Sequence, residues 1–168
     1  MSQKMQQCLE FGRQCVKQLR NSGEYDPLVP RAVPTQAVSE FLASKQKDGR
    51  DGGYLIIEAE PGIGKTGFVL ELCSKAAISY AFRDRAWSAN VLNFLNYLAA
   101  ELHLRLMKDT PLPRYLYNPD DARIRVDSLL DKAGQSLGKD EKLLIVVDAL
   151  DEAELGDRTN AQIGRAHV

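Results

Sequence analysis

Cysteine is scarce in this chain: Cys8, Cys15 and Cys73 are the only three among 168 residues. They have no paired zinc spacing, and they fit a reducing, cytoplasmic compartment. Cys8 and Cys15 lie seven apart on a helical pattern and read as small apolar packing residues. A charge excess is lacking too. Twenty-two Lys and Arg oppose 23 Asp and Glu, for a net charge of −1, which argues against a large nucleic-acid-binding face. No apolar run reaches membrane-spanning length. The first residues, Met1 to Gln7, lack the apolar core of a signal peptide. No repeat or low-complexity tract occurs. What remains is a chain with 44% hydrophobic residues, the content of a globular protein, with room for one domain or one incomplete larger one.

Two segments carry chemistry. The first is Ala59-Glu60-Pro61-Gly62-Ile63-Gly64-Lys65-Thr66-Gly67, after the apolar run Tyr54-Leu55-Ile56-Ile57. The run reads as a buried strand, and the loop as a P-loop. Glycine lets backbone N–H groups approach a phosphate without a side chain in the way. Gly62 and Gly64 fit that need. Lys65 brings a point charge to the β- and γ-phosphates, and the Thr66 hydroxyl is suited to Mg²⁺. Ala59 stands where the pattern begins with glycine, and a small residue suffices there. A helix from Gly67 to about Ala77, with Phe68, Val69, Leu72 and Ala76 apolar, adds its dipole at the phosphates.

The second segment is Leu143-Leu144-Ile145-Val146-Val147-Asp148-Ala149-Leu150-Asp151-Glu152. Five apolar residues read as a parallel strand buried on both faces. Asp148 falls at its C-terminal end, where α/β sheets bind ligands, and is the candidate for holding the metal. Asp151 and Glu152 are placed to orient or deprotonate a water. Together the two segments predict ATP or ADP and Mg²⁺ as ligands. The predicted fold is an α/β P-loop NTPase, with a parallel sheet and flanking helices, a helical N-terminal extension and an incomplete C-terminus.

In many P-loop ATPases the catalytic acid directly follows the metal aspartate. Here Ala149 takes that place and the acids come later. Asp148-Ala149-Leu150-Asp151-Glu152 resembles the second motif of the NACHT group of STAND signalling NTPases. Tyr80-Ala81-Phe82-Arg83-Asp84-Arg85, followed by a long amphipathic helix, is similar to that group's second strand and helix. The resemblance covers roughly Tyr54 to Glu154. It implies a nucleotide-driven switch that rests with ADP and self-associates with ATP. It also implies that a later strand lies between the P-loop strand and the second-motif strand. The other classes to weigh are an AAA-like motor, a nucleotide-binding module without hydrolysis, and a partial gene product without activity. No Asn-Lys-x-Asp guanine reader occurs.

The division expected is 1–53 as the extension and linker, 54–161 as a partial NTPase domain, and 162–168 as a non-native tail. Ile163-Gly164-Arg165-Ala166-His167-Val168 is what ATC GGA AGA GCA CAC GTC encodes, a string that resembles a sequencing adaptor. His167 is therefore not taken as a ligand. A chain ending near residue 160 is expected to hold the phosphate and Mg²⁺ ligands without a complete catalytic site. Residues 3–20 predict an amphipathic helix with Met5, Cys8, Leu9, Val16 and Leu19 on one side. Pro27, Pro30 and Pro34 predict an extended linker, after which Thr35 caps a short helix with Val38, Phe41 and Leu42. Arg83 and Arg85 read as surface charge. Ser88 to about Lys108 reads as a long helix, with His103 a surface or packing residue. Asn118 is placed to cap a further helix with Pro119 at its first position.

Overall fold

The computed structural model describes residues 3–21, 32–43, 53–58, 60, 64–82, 89–138 and 141–153. Five helices occur among them: α1 (Gln3–Asn21), α2 (Ala32–Ala43), α3 (Lys65–Cys73), α4 (Val91–Leu106) and α5 (Pro119–Ser136). Two strands, β1 (Ile78–Ala81) and β2 (Ile145–Asp148), pair in parallel, with Ile78 opposite Ile145 and Ala81 opposite Asp148. Parallel neighbours need a long crossover, and α4 and α5 lie within it.

Strand alternation sends side chains to opposite faces, and helices cover both. Ile78, Tyr80 and Phe82 join Tyr97, Leu98 and Leu102 of α4 in the main core. On the other face Val146 packs with Phe68 and Leu72 of α3 and Val38 of α2. The fold is thus α/β with helices on both faces of a parallel sheet.

The predicted helix at residues 3–20 is α1, and the first part of its apolar side is core. Met5 and Cys8 are fully buried and Leu9 nearly so, in the same cluster as β1 and α4. Burial pushes the Cys8 thiol up to about 12, against the opposing charge of Lys4. The thiol donates to the Asn93 carbonyl at 3.2 Å, as a packing residue rather than a nucleophile. Cys15 is half-buried and donates to the Phe11 carbonyl.

Side-chain caps fall where the sequence places amides at helix starts. The Asn118 side chain accepts from Asp120 and Asp121 N–H, with Pro119 opening α5. Asn90 does the same for Leu92 and Asn93, so α4 starts later than expected. Asn96 pins the loop between α4 and α5. Its amide donates to the Leu92 and Leu116 carbonyls and accepts from Leu116 N–H, each at 2.9 Å. Tyr115 donates to Asn93 Oδ1 at 2.6 Å.

Several expectations need correction. Tyr54–Ile57 is not a buried strand: it lies outside any helix or strand, with Tyr54 95% and Ile56 78% exposed. A strand exists only through a neighbour's hydrogen bonds, and no described residue pairs with this run. β2 is shorter than the apolar run that announced it, and only Val146 in it is buried. Its one neighbour among the described residues is β1. β1 begins before Tyr80, the residue expected to open it. Helix α2 starts before Thr35 and takes in Pro34, whose missing N–H is no loss in a first turn. Helix α3 stops at Cys73 rather than near Ala77. Pro27, Pro30, Arg83, Arg85 and the tail at 162–168 lie outside the described residues.

Candidate functional site

Helix α3 opens directly on the predicted phosphate residues, with Lys65 and Thr66 its first two. Its N-cap is Gly64, in the left-handed conformation at φ 85° and ψ 33°. A side chain there costs about 1–2 kcal/mol, which is a local reason for glycine at this position. Glycine also puts no side chain over the first turn of the helix. Lys65, Thr66 and Gly67 are half-buried. Of the rest of the predicted loop, Glu60 is exposed, while Ala59, Pro61, Gly62 and Ile63 lie outside the described residues.

Asp148 ends β2 and is half-buried. The chain leaving α3 meets the other end of this strand segment, where Ala77 and Ile78 N–H donate to the Leu144 carbonyl. Phe68, in the first turn of α3, packs with Val146. Helix α3 therefore runs against the direction of β2. Nine residues of helix span about 13 Å, close to the extended distance from residue 144 to 148. Helix α3 thus lies along β2, the strand that Asp148 ends.

Beyond Asp148, Ala149 is a non-glycine residue in the left-handed region, at φ 53° and ψ 46°. It redirects the chain into a 3-10 turn, Leu150–Glu152, closed by Glu152 N–H to the Ala149 carbonyl at 2.9 Å. Asp151 is exposed and Glu152 half-buried. The turn separates both acids from the strand end. Strain of this kind costs about 1–3 kcal/mol and gathers at functional sites. The small residue in the motif is legible in sequence; its conformation is not.

The charge of Asp148 reaches Cys73 at the far end of α3. Burial pushes that thiol up to about 11; a hydrogen bond with Ser79 opposes the shift and Asp148 adds to it. Among the described residues no group of three or more His, Cys, Asp or Glu is placed to hold a metal by itself. An open groove of about 500 Å³, lined by residues including His103, Pro113, Asp121, Arg125 and Lys132, contains none of the predicted site residues. His103 there sits 2.8 Å from the Thr110 hydroxyl, consistent with a surface role.

Sequence reasoning gives no role to the ion network beside α3. Glu101, 4% exposed, meets Arg13 at 2.6 Å and Arg105 at 2.5 Å. Arg105 also donates to the carbonyl of Ala77, between α3 and β1. The Glu101–Arg105 pair is readable as a four-residue helix spacing, but Arg13 is 88 residues away. Burial alone raises the Glu101 pKa; hydrogen bonds from Arg13 and Arg105, with their charges, outweigh it, and the net shift is downward from 4.5. A lowered carboxyl pKa contributes stability above the ordinary value and loses it as pH falls through the folded value. Glu101→Gln should cost about 1–3 kcal/mol at neutral pH. Its deficit relative to the parent should shrink below pH 4.5, as read by denaturant unfolding across a pH series. A constant deficit across that series would show that the charge contributes nothing.

No family model, no curated protein and no solved structure matches this chain.

Proposed function

We propose that the chain binds a nucleoside triphosphate with Mg²⁺ at the start of α3, as the nucleotide module of a NACHT-like STAND switch. The observation that supports this reading is that Gly64, Lys65 and Thr66 open α3, the helix that packs on β2, and that Asp148 ends that strand. Glycine at φ 85° puts no side chain over the start of α3, where an anion would meet backbone N–H groups and the helix dipole. Lys65 is the cation for the β- and γ-phosphates. Thr66 and Asp148 are the oxygen donors for Mg²⁺, which supplies positive charge to the phosphate oxygens. These residues fit a hard cation that keeps several waters and phosphate ligands. The absence of a cluster of three or more His, Cys, Asp or Glu among the described residues does not conflict with such a site. Asp151 and Glu152 are assigned to the attacking water, a step that belongs to ATP hydrolysis and not to binding.

The test separates the acids. Asp148→Asn should weaken Mg²⁺-dependent ATP binding, measured by calorimetric titration with and without Mg²⁺. Asp151→Asn should leave that affinity unchanged and lower the rate of hydrolysis. Equal effects of the two substitutions on binding and on rate would remove this division of roles.

A further inference from the structure

Helix α3 is held from behind by a helix far from it in sequence. α1 reaches it at two points. Val16 packs against the small cluster of Leu70 and Ala81, which are 2% and 1% exposed. One turn further along α1, Arg20 donates to the Leu70 carbonyl at 3.4 Å. Leu70 carries one of the last four carbonyls of α3, those that a helix ending at Cys73 leaves without an N–H of its own. A cation there also complements the negative end of the helix dipole. The following turn is held as well, since Arg105 donates to the Ala77 carbonyl.

α1 itself is fixed to α4. Gly12 lies against the Tyr97 ring, so close that an added Cβ would fall 2.1 Å from Tyr97 Cδ2. Arg13 closes the contact on the buried Glu101. Helix α3 is therefore clamped at its C-terminal end by groups anchored on α4, while its N-terminal end presents Lys65 and Thr66.

We propose that Arg20, with Val16, is a positioning residue for the phosphate-binding end of α3, so that the docking of α1 sets nucleotide affinity. This rests on the nucleotide reading above. Arg20 does not touch the ligand in this account; it acts through the axial position and dipole of α3. The consequence is a link between the N-terminal helix and the site: a force or partner that lifts the C-terminal turn of α1 lowers affinity for nucleotide.

The test uses Arg20→Ala and Arg20→Lys in the whole 168-residue chain. Two readouts are taken: calorimetric titration with ATP·Mg²⁺, and amide hydrogen exchange followed by peptide. Arg20 is exposed, so the substitutions spare the core. Arg20→Ala should weaken binding about two- to fivefold, the size of a charge–dipole contact at a helix end. It should speed exchange in residues 65–73 and leave α4 and α5 unchanged. Arg20→Lys, which keeps the cation, should recover most of both effects. Unchanged affinity with unchanged exchange in α3 overturns the proposal. So does exchange that rises equally in α4 and α5, which marks general loosening. If the unsubstituted chain binds no nucleotide, the phosphate reading fails separately. Exchange confined to α3 then still supports the brace, and its absence overturns it.

Discussion

Lys65→Ala should abolish measurable binding of ATP·Mg²⁺. Lys65 is the first residue of α3, half-buried, and stands beside a glycine that has no side chain to offer a phosphate. A charge-assisted contact is worth about 1.5–3 kcal/mol, or roughly a tenfold to hundredfold change in affinity. The loss at a triphosphate is expected at the upper end, because Lys65 is the side-chain cation that the loop provides. Alanine is a better helix former than lysine, so the fold of α3 should survive. Lys75→Ala is the control. That lysine lies just past the other end of α3, is exposed, and pairs only loosely with Glu71 at 3.8 Å. It should change affinity little. Calorimetry with ATP·Mg²⁺ and with ADP reads both variants. Unchanged affinity in Lys65→Ala would remove the phosphate-binding reading, whatever the fold.

The parts of the molecule legible in sequence are those set by short-range chemistry. Asn118 before Pro119 marks a helix start because an amide side chain can reach the next free N–H groups, and the cap is found there. The apolar spacing of α1 and α4 reports positions such as Met5, Cys8, Leu98 and Leu102 that are buried. Gly64 is named in the sequence for close approach to a phosphate; its left-handed turn is what the structure adds. Tyr54–Ile57 shows the limit. Four apolar residues in a row have strand propensity, but propensity supplies no neighbour, and the run stands exposed. The contacts that hold α1 are illegible for a related reason. Arg13 and Glu101 meet across 88 residues, and Arg20 and Leu70 across 50. No periodicity relates such pairs; only the path of the chain around β1 brings them together. The candidate site mixes both kinds. Its residue types announce themselves, whereas the packing of α3 along β2, the strand that Asp148 ends, does not.

Gly12→Ala separates the two kinds of information most sharply. By local rules it should stabilise the chain, because glycine in a helix interior costs about 1 kcal/mol relative to alanine. The tertiary structure predicts the reverse. The added Cβ would sit 2.1 Å from Tyr97 Cδ2 and 2.5 Å from Cε2. Tyr97 has little freedom to retreat. It is 2% exposed, its hydroxyl donates to the Ser79 carbonyl at 3.0 Å, and its ring lies 5.2 Å from that of Tyr80. Overpacking of this sort costs about 1–3 kcal/mol, occasionally more. With helix α1 forced off α4, the Arg13–Glu101 contact and the burial of Met5 and Cys8 are weakened as well. The expected outcome is a net loss above the propensity gain, with a melting temperature lower by about 2–4 °C for each kcal/mol lost. Tyr97→Leu removes the ring that the new methyl meets. The double variant should therefore lose less than the sum of the two single losses, a coupling that a double-mutant cycle measures directly. A Gly12→Ala chain that melts at or above the parent temperature would show that α1 does not rest on Tyr97, and the brace on α3 would go with it.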